Sequence, residues 1–133
     1  VGIDTHLGGT YLCIEGPQFS TKSESMMYRS FGASVIGMTN VPEAFLAKEA
    51  GLAYATVAMV TDYDCWKEEH CTVQEIMNVM NSNYISAQKF IKKAITHLSE
   101  SPISFQPENK NAIITSPELM TEQHKEIIDV ILA

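Results

Sequence analysis

The stretch Thr10-Tyr11-Leu12-Cys13-Ile14-Glu15-Gly16-Pro17-Gln18-Phe19-Ser20-Thr21-Lys22-Ser23-Glu24-Ser25 reads as a strand, a turn and a helix start, in that order. Residues 10–15 are rich in β-favouring types, with Gly8-Gly9 before them and Gly16-Pro17 after them. Ser20 or Thr21 can cap a helix that runs to about Phe31. Gly32 then serves as its C′ stop, because glycine enters the left-handed conformation without a steric penalty. A strand feeding directly into a helix is the building unit of an α/β fold.

Working outward, the unit repeats. Residues 34–37 form a short apolar strand. Pro42 suits the first turn of the next helix, which carries Ala44, Leu46, Ala47 and Ala50 and ends at Gly51. Residues 52–60 are a near-continuous apolar run rich in Ala and Val. Such a run predicts a strand buried on both faces, in a parallel or mixed sheet covered by helices. Residues 72–98 predict one long helix, with Val73, Ile76, Met77, Met80, Tyr84, Ala87, Ile91, Ala94, Ile95 and Leu98 near a 3.6-residue period. Residues 99–111 hold two prolines and many polar groups and predict a loop. A brief strand over 112–115 is expected next. A last amphipathic helix is expected from Ser116-Pro117, using Ile127, Ile128, Ile131 and Leu132. The expectation is an α/β fold, a mixed β-sheet flanked by helices, with the 133 residues as a single domain. Ligands in such folds gather at the carboxyl ends of strands. Gly37-Met38-Thr39 and Thr61-Asp62 are the two segments placed there.

Composition narrows the partners. The net charge of −7 argues against nucleic acid or an anionic membrane, since both are met by a basic face. No apolar run approaches the roughly 18 residues of a membrane-spanning helix. No basic stretch followed by an apolar one marks a signal peptide. Val1 in place of Met reads as an internal residue of a longer chain or as a processed start. Three cysteines, Cys13, Cys65 and Cys71, with no secretory signal predict reduced thiols and a cytoplasmic location. Cys65 and Cys71 with His70 fit no standard zinc spacing and lack a fourth ligand, so no metal is expected.

Three ordered stretches resemble one family. Gly9-Thr10-Tyr11 with the run from Glu15-Gly16-Pro17-Gln18-Phe19 to Ser25 is similar to the strand–turn–helix of the trimeric purine nucleoside phosphorylase superfamily. Val35-Ile36-Gly37-Met38-Thr39-Asn40-Val41-Pro42-Glu43 is similar to its ribose- and phosphate-contacting turn. Ala58-Met59-Val60-Thr61-Asp62-Tyr63-Asp64-Cys65-Trp66 resembles the base-reading segment of the methylthioadenosine phosphorylases within that superfamily. The likeness is dense from His6 to Trp66 and weaker along the long helix. It implies the C-terminal half of a phosphorylase/hydrolase-like nucleoside phosphorylase fold. The implied reaction is phosphorolysis of 5′-methylthioadenosine to adenine and 5-methylthioribose 1-phosphate, a step of purine and methionine salvage. Inorganic phosphate is the co-substrate, no further cofactor is implied, and the implied assembly is a homotrimer.

Breaking the N-glycosidic bond leaves electron density on the purine, so N7 must receive a proton or hydrogen bond as the ribose becomes oxocarbenium-like. Adenine offers an acceptor at N7 and a donor at its 6-amino group. One protonated carboxyl matches both, and Asp62 is the residue the resemblance places there. It has to carry a proton near neutral pH, which burial and a second carboxylate, Asp64, can arrange. Without the resemblance, two aspartates after a strand would read as loop or capping acids. Superfamily members acting on 6-oxopurines carry Asn where Asp62 stands and Glu where Ser20 stands. Both positions here point to a 6-amino purine.

The resemblance also sets Phe19 near ribose and base, although a core Phe is an equal reading of the residue alone. It sets Met38 against the ribose as a soft thioether surface. Ile36 and Gly37 line the same turn, Thr61 the base site, and the Thr39 hydroxyl donates to phosphate. Many methylthioadenosine enzymes carry Asn at the position of Gly37, so that side-chain contact is missing here. Ile76 and Met77 align with an apolar wall around the 5′-methylthio group. Glu24 and Glu43 read as helix-capping or ion-pairing groups.

The family's N-terminal phosphate-binding half supplies a Thr or Ser on a Gly-containing loop, an Arg-His pair, a second His and a Thr-Ala turn. None of these motifs occurs in this chain. A buried dianion needs cations or many donors, and the motif region offers only Lys22, Arg29, Lys48 and Lys67. The chain is therefore expected to require that half. The alternatives are a broader phosphorylase of adenosine or inosine, and a purine-binding fragment without turnover.

Overall fold

Hydrogen bonds that close within one turn of chain set the helix boundaries. A computed structural model describes residues 2–67, 71–104 and 108–132. Strand β1 is Thr10–Cys13 and helix α1 is Lys22–Ser30. Thr21 caps α1: its hydroxyl accepts from the Glu24 amide while the Glu24 carboxylate accepts from the Thr21 amide at 2.7 Å. At the far end Gly32 takes φ +80, the left-handed stop its position predicts. Strand β2, Ala33–Gly37, pairs parallel with β1. The register sets Tyr11 on Val35, Leu12 on Ile36 and Cys13 on Gly37, with an irregularity between Thr10 and Tyr11. There the Ser34 hydroxyl accepts from the Thr10 amide at 3.2 Å, filling the gap in the ladder.

Helix α3 runs Val73–Glu100 behind a second capping box, Thr72 with Glu75. The expected apolar stripe is present, but Val73, Met77, Met80, Tyr84, Ile91, Ile95 and Leu98 are all exposed. Helix α2, Glu43–Glu49, begins one residue after Pro42, which is its N-cap. Helix α4 is Glu122–Ile131, capped by the Thr121 hydroxyl.

The expected α/β fold is present, with a described sheet of two parallel strands. Three expectations are corrected. Residues 52–60 form no strand, and every one of them is exposed. A strand exists only where a neighbouring strand pairs with its backbone groups, and among the described residues no strand pairs with this run. The same holds for 112–115. The last helix starts at Glu122, because Ser116-Pro117 nucleates only a 3₁₀ turn, Pro117–Leu119.

The contacts divide the chain into two units. One comprises Val1–Thr39 and Val57–Pro102, holding both strands, α1 and α3. The other comprises Asn40–Thr56 and Ile103–Ala133, holding α2 and α4. In this second unit the Tyr54 hydroxyl donates to Glu43 at 2.7 Å. The Asn40 amide, on a residue with φ 79, donates to Thr56 at 2.8 Å. The Asn109 amide donates to the Glu49 carbonyl.

Among the described residues no hydrophobic side chain is buried, and Ser25 is the one buried residue. The chain exposes 11258 Å², against about 6,900 Å² for a folded globular chain of this mass. Most of the apolar periodicity that predicts the elements therefore still faces outward.

The two capping boxes carry a pH signature. Hydrogen bonds from the Thr21 amide and hydroxyl hold the Glu24 carboxyl below the ordinary glutamate range, and Thr72 does the same to Glu75. A carboxyl held low in the folded state stabilises it above the unfolded-state value, and that contribution is lost as pH falls through the folded value. Helicity by far-ultraviolet circular dichroism is expected to fall through the acidic carboxylate range, and Glu75→Gln to flatten part of that fall. Thr72→Ala should cost α3 about 1 kcal/mol, read as an earlier thermal transition.

Candidate functional site

All the residues singled out for binding or chemistry, from Phe19 to Met77, belong to the first unit. The turn after β1 continues the ladder by one bond, from the Ile14 amide to the Gly37 carbonyl at 2.9 Å. Gly16 then takes φ +73. A Cβ there would stand 2.7 Å from the Met38 sulfur, so this turn lies directly against the turn after β2. Phe19 projects outward, 87 % exposed. The Ser20 hydroxyl is enclosed and has no hydrogen-bond partner among the described residues.

The turn after β2 carries Ile36, Gly37, Met38 and Thr39. Ile36 and Gly37 are half-buried and Met38 and Thr39 are exposed. The Tyr11 hydroxyl lies 3.1 Å from that of Thr39. The Cys13 thiol donates to the Thr39 carbonyl. Residue 39 is thus held from β1 at both its side chain and its backbone.

The third segment is tied to the first by two contacts. The Cys65 thiol donates to the Ser20 carbonyl at 3.3 Å. The Arg29 guanidinium lies 3.8 Å above the Trp66 ring, a cation–π contact between α1 and this segment. Trp66 meets Tyr63 edge-on at 5.7 Å, and the Lys67 ammonium sits 4.3 Å from the Tyr63 ring. Two of the four cations of the motif region are therefore engaged on aromatic faces.

The two aspartates differ in what they do. Asp62 is exposed and accepts from the Thr61 hydroxyl at 2.5 Å. Asp64 is half-buried, and its carboxylate accepts from the Cys65 amide at 2.9 Å, which fixes the bend after Tyr63. The Asn83 amide on α3 donates to the Val60 carbonyl at 2.8 Å, joining the long helix to the same segment. On that helix Ile76 is half-buried and Met77 exposed. His70, considered with the cysteines for zinc, lies outside the described residues.

Reading the sequence left three connecting residues without a role. Tyr11 looks like any β-favouring aromatic. Arg29 counts only as an unassigned cation. Asn83 is one polar position on an amphipathic helix. A contact across 23 or more residues of chain leaves no local signature, and only a paired reading of positions 11 and 37 could have suggested one.

Comparison with known proteins gives a consistent result. The family model described as the phosphorylase superfamily matches residues 1–96. The chain is 44 % identical over 134 residues to the S-methyl-5′-thioadenosine phosphorylase of Geobacter sulfurreducens, covering 98 % of this chain and 47 % of the relative. It is 50 % identical over 123 residues to the protein of the same name from Bradyrhizobium diazoefficiens, covering 88 % and 42 %. Among solved structures it resembles a methylthioadenosine phosphorylase sourced from an antarctic soil metagenomic library. The TM-score there is 0.82 at 40 % identity, covering 94 % of this chain and 45 % of that one. It also resembles a variant of the adenosine/methylthioadenosine phosphorylase of Schistosoma mansoni in complex with adenine, with TM-score 0.65, 38 % identity and coverage of 72 % and 35 %. The chain spans less than half the length of the curated relatives it matches.

Proposed function

Because this chain belongs to the phosphorylase superfamily, we propose that it forms the nucleoside-binding part of an enzyme that cleaves 5′-methylthioadenosine with phosphate. The observation that carries this reading is the joining of three motifs in one unit. Tyr11 with Thr39 and Gly16 with Met38 join the first to the second. Cys65 with Ser20 and Arg29 with Trp66 join the first to the third. The chain's identity of 44 % and 50 % to two relatives named for this activity supports the reading further.

In the proposed reaction the bond from the anomeric carbon to purine N9 breaks while a phosphate oxygen bonds to that carbon. Asp62, protonated, gives its proton to N7, and its carbonyl oxygen accepts from the 6-amino group. The leaving base departs as neutral adenine, and a proton from solvent restores Asp62. Asp64 fixes the bend that aims Asp62. Phe19, Ile36, Gly37, Met38 and Thr61 line the ribose and base, Ile76 and Met77 the methylthio group, and Thr39 donates to phosphate. The remaining donors for a dianion belong to an N-terminal half of the same enzyme. Inorganic phosphate is the co-substrate, with a homotrimer in the cytoplasm as the assembly. Asp62 is exposed in this chain, so excluding water from it falls to that other half.

A second reading, a phosphorylase that also takes adenosine, is favoured by the Schistosoma mansoni relative, whose name couples both nucleosides. Initial rates of the complete enzyme with phosphate and each of 5′-methylthioadenosine, adenosine and inosine separate the two. The first is expected to lead and inosine to be a poor substrate. Equal rates with inosine would sink the 6-amino reading.

A further inference from the structure

We infer that Tyr11 is a positioning residue for phosphate, acting through Thr39; this rests on the proposed role of Thr39. Side chains two apart on a strand share a face. In the register found, Tyr11 faces Val35 and Cys13 faces Gly37, so the Tyr11 ring leans diagonally over residue 37. It can do so only because residue 37 has no side chain. A Cβ on Gly37 would stand 2.1 Å from the Tyr11 hydroxyl oxygen and 2.9 Å from the ring carbon bearing it. Beyond Gly37 the hydroxyl reaches Thr39 at 3.1 Å.

The direction of that hydrogen bond follows from the ligand. Each hydroxyl can donate or accept, whereas the three unprotonated oxygens of the phosphate dianion only accept. When Thr39 spends its proton on phosphate, its lone pair is left to accept from Tyr11. The order becomes Tyr11 O–H to Thr39 O–H to phosphate oxygen, in which each donor polarises the next. The Cys13 thiol on the Thr39 carbonyl fixes the backbone of the same residue. The Tyr11 phenol thus occupies the space that an Asn side chain at position 37 would need.

The test uses the complete enzyme carrying this segment, with inorganic phosphate as the varied ligand. Tyr11→Phe removes the hydroxyl alone and is expected to raise the phosphate KM about 3- to 10-fold, leaving the 5′-methylthioadenosine KM unchanged. Thr39→Ala should raise the phosphate KM at least as much, and Tyr11→Phe in the Thr39→Ala background should add nothing. A phosphate KM unmoved by Tyr11→Phe, or effects that simply multiply, overturns the inference while leaving the role of Thr39 intact. A phosphate KM unmoved by Thr39→Ala removes the role of Thr39 and the inference with it. Should Tyr11→Phe fold poorly, position 37 decides. Gly37→Asn is expected to raise the phosphate KM in the parent enzyme but lower it in a Tyr11→Leu background, where the amide enters the vacated space. The same change in both backgrounds overturns the inference.

Discussion

Asp62→Asn in the complete enzyme is expected to lower kcat for 5′-methylthioadenosine by about 10²- to 10⁴-fold, the range for removal of a general acid. The loss should fall on kcat more than on KM. A carboxamide keeps one donor and one acceptor in nearly the same places, so the ground-state contacts to N7 and the 6-amino group survive. What it lacks is a proton that can be transferred as the glycosidic bond breaks, and an interaction made only in the transition state appears in kcat. The same amide can donate to a 6-oxo group, so the ratio of inosine to 5′-methylthioadenosine turnover should rise. Steady-state rates for both nucleosides at saturating phosphate read the two effects together. Unchanged relative rates would take Asp62 out of base recognition. Asp64→Asn offers a contrast: its carboxylate oxygen accepts from the Cys65 amide, a bond that the amide carbonyl can keep, so a much smaller loss is expected.

The second large effect concerns the length of the relatives that this chain does not span. Phosphorolysis by the 133-residue chain alone should lie at background. Joining it to an N-terminal half of the fold should raise adenine release by at least about 10³-fold, in keeping with what oxyanion donors and clamps contribute to transfer reactions. Two observations motivate this. Arg29 and Lys67 lie against aromatic rings, which leaves few cations of the motif region to meet a dianion. The exposed stripe of α3 and the exposed run 52–60 are apolar surfaces that a neighbouring sheet and its helices would cover. Covering them would stabilise this chain by mass action, so its thermal transition should rise on addition of the other half. Full turnover by the purified chain, with intact-mass analysis finding no companion polypeptide, would overturn the prediction.

How much of this was legible beforehand depends on where each segment finds its hydrogen bonds. The Thr21 cap and the Gly32 stop of α1 were readable because their donors and acceptors lie within one turn of each other. The final helix was misplaced for a related reason. Ser116-Pro117 and Thr121 are both good starts, and the bond from the His124 amide to the Thr121 hydroxyl selected the second. Residues 52–60 have a buried strand's composition, yet composition supplies no ladder partner.

The candidate site divides along the same line. The motifs Gly9 to Ser25, Val35 to Glu43 and Ala58 to Trp66 carried the resemblance to the superfamily whose model matches residues 1–96, because such a resemblance resides in runs of neighbouring residues. Tertiary structure alone decided that Tyr11 crosses Gly37 to reach Thr39 and that Cys65 and Trp66 are tied to the first motif. It also decided that the apolar pattern of α3 still faces outward. These are pairings between distant parts of the chain, and they form only when folding offsets the entropy of closing the loops between them.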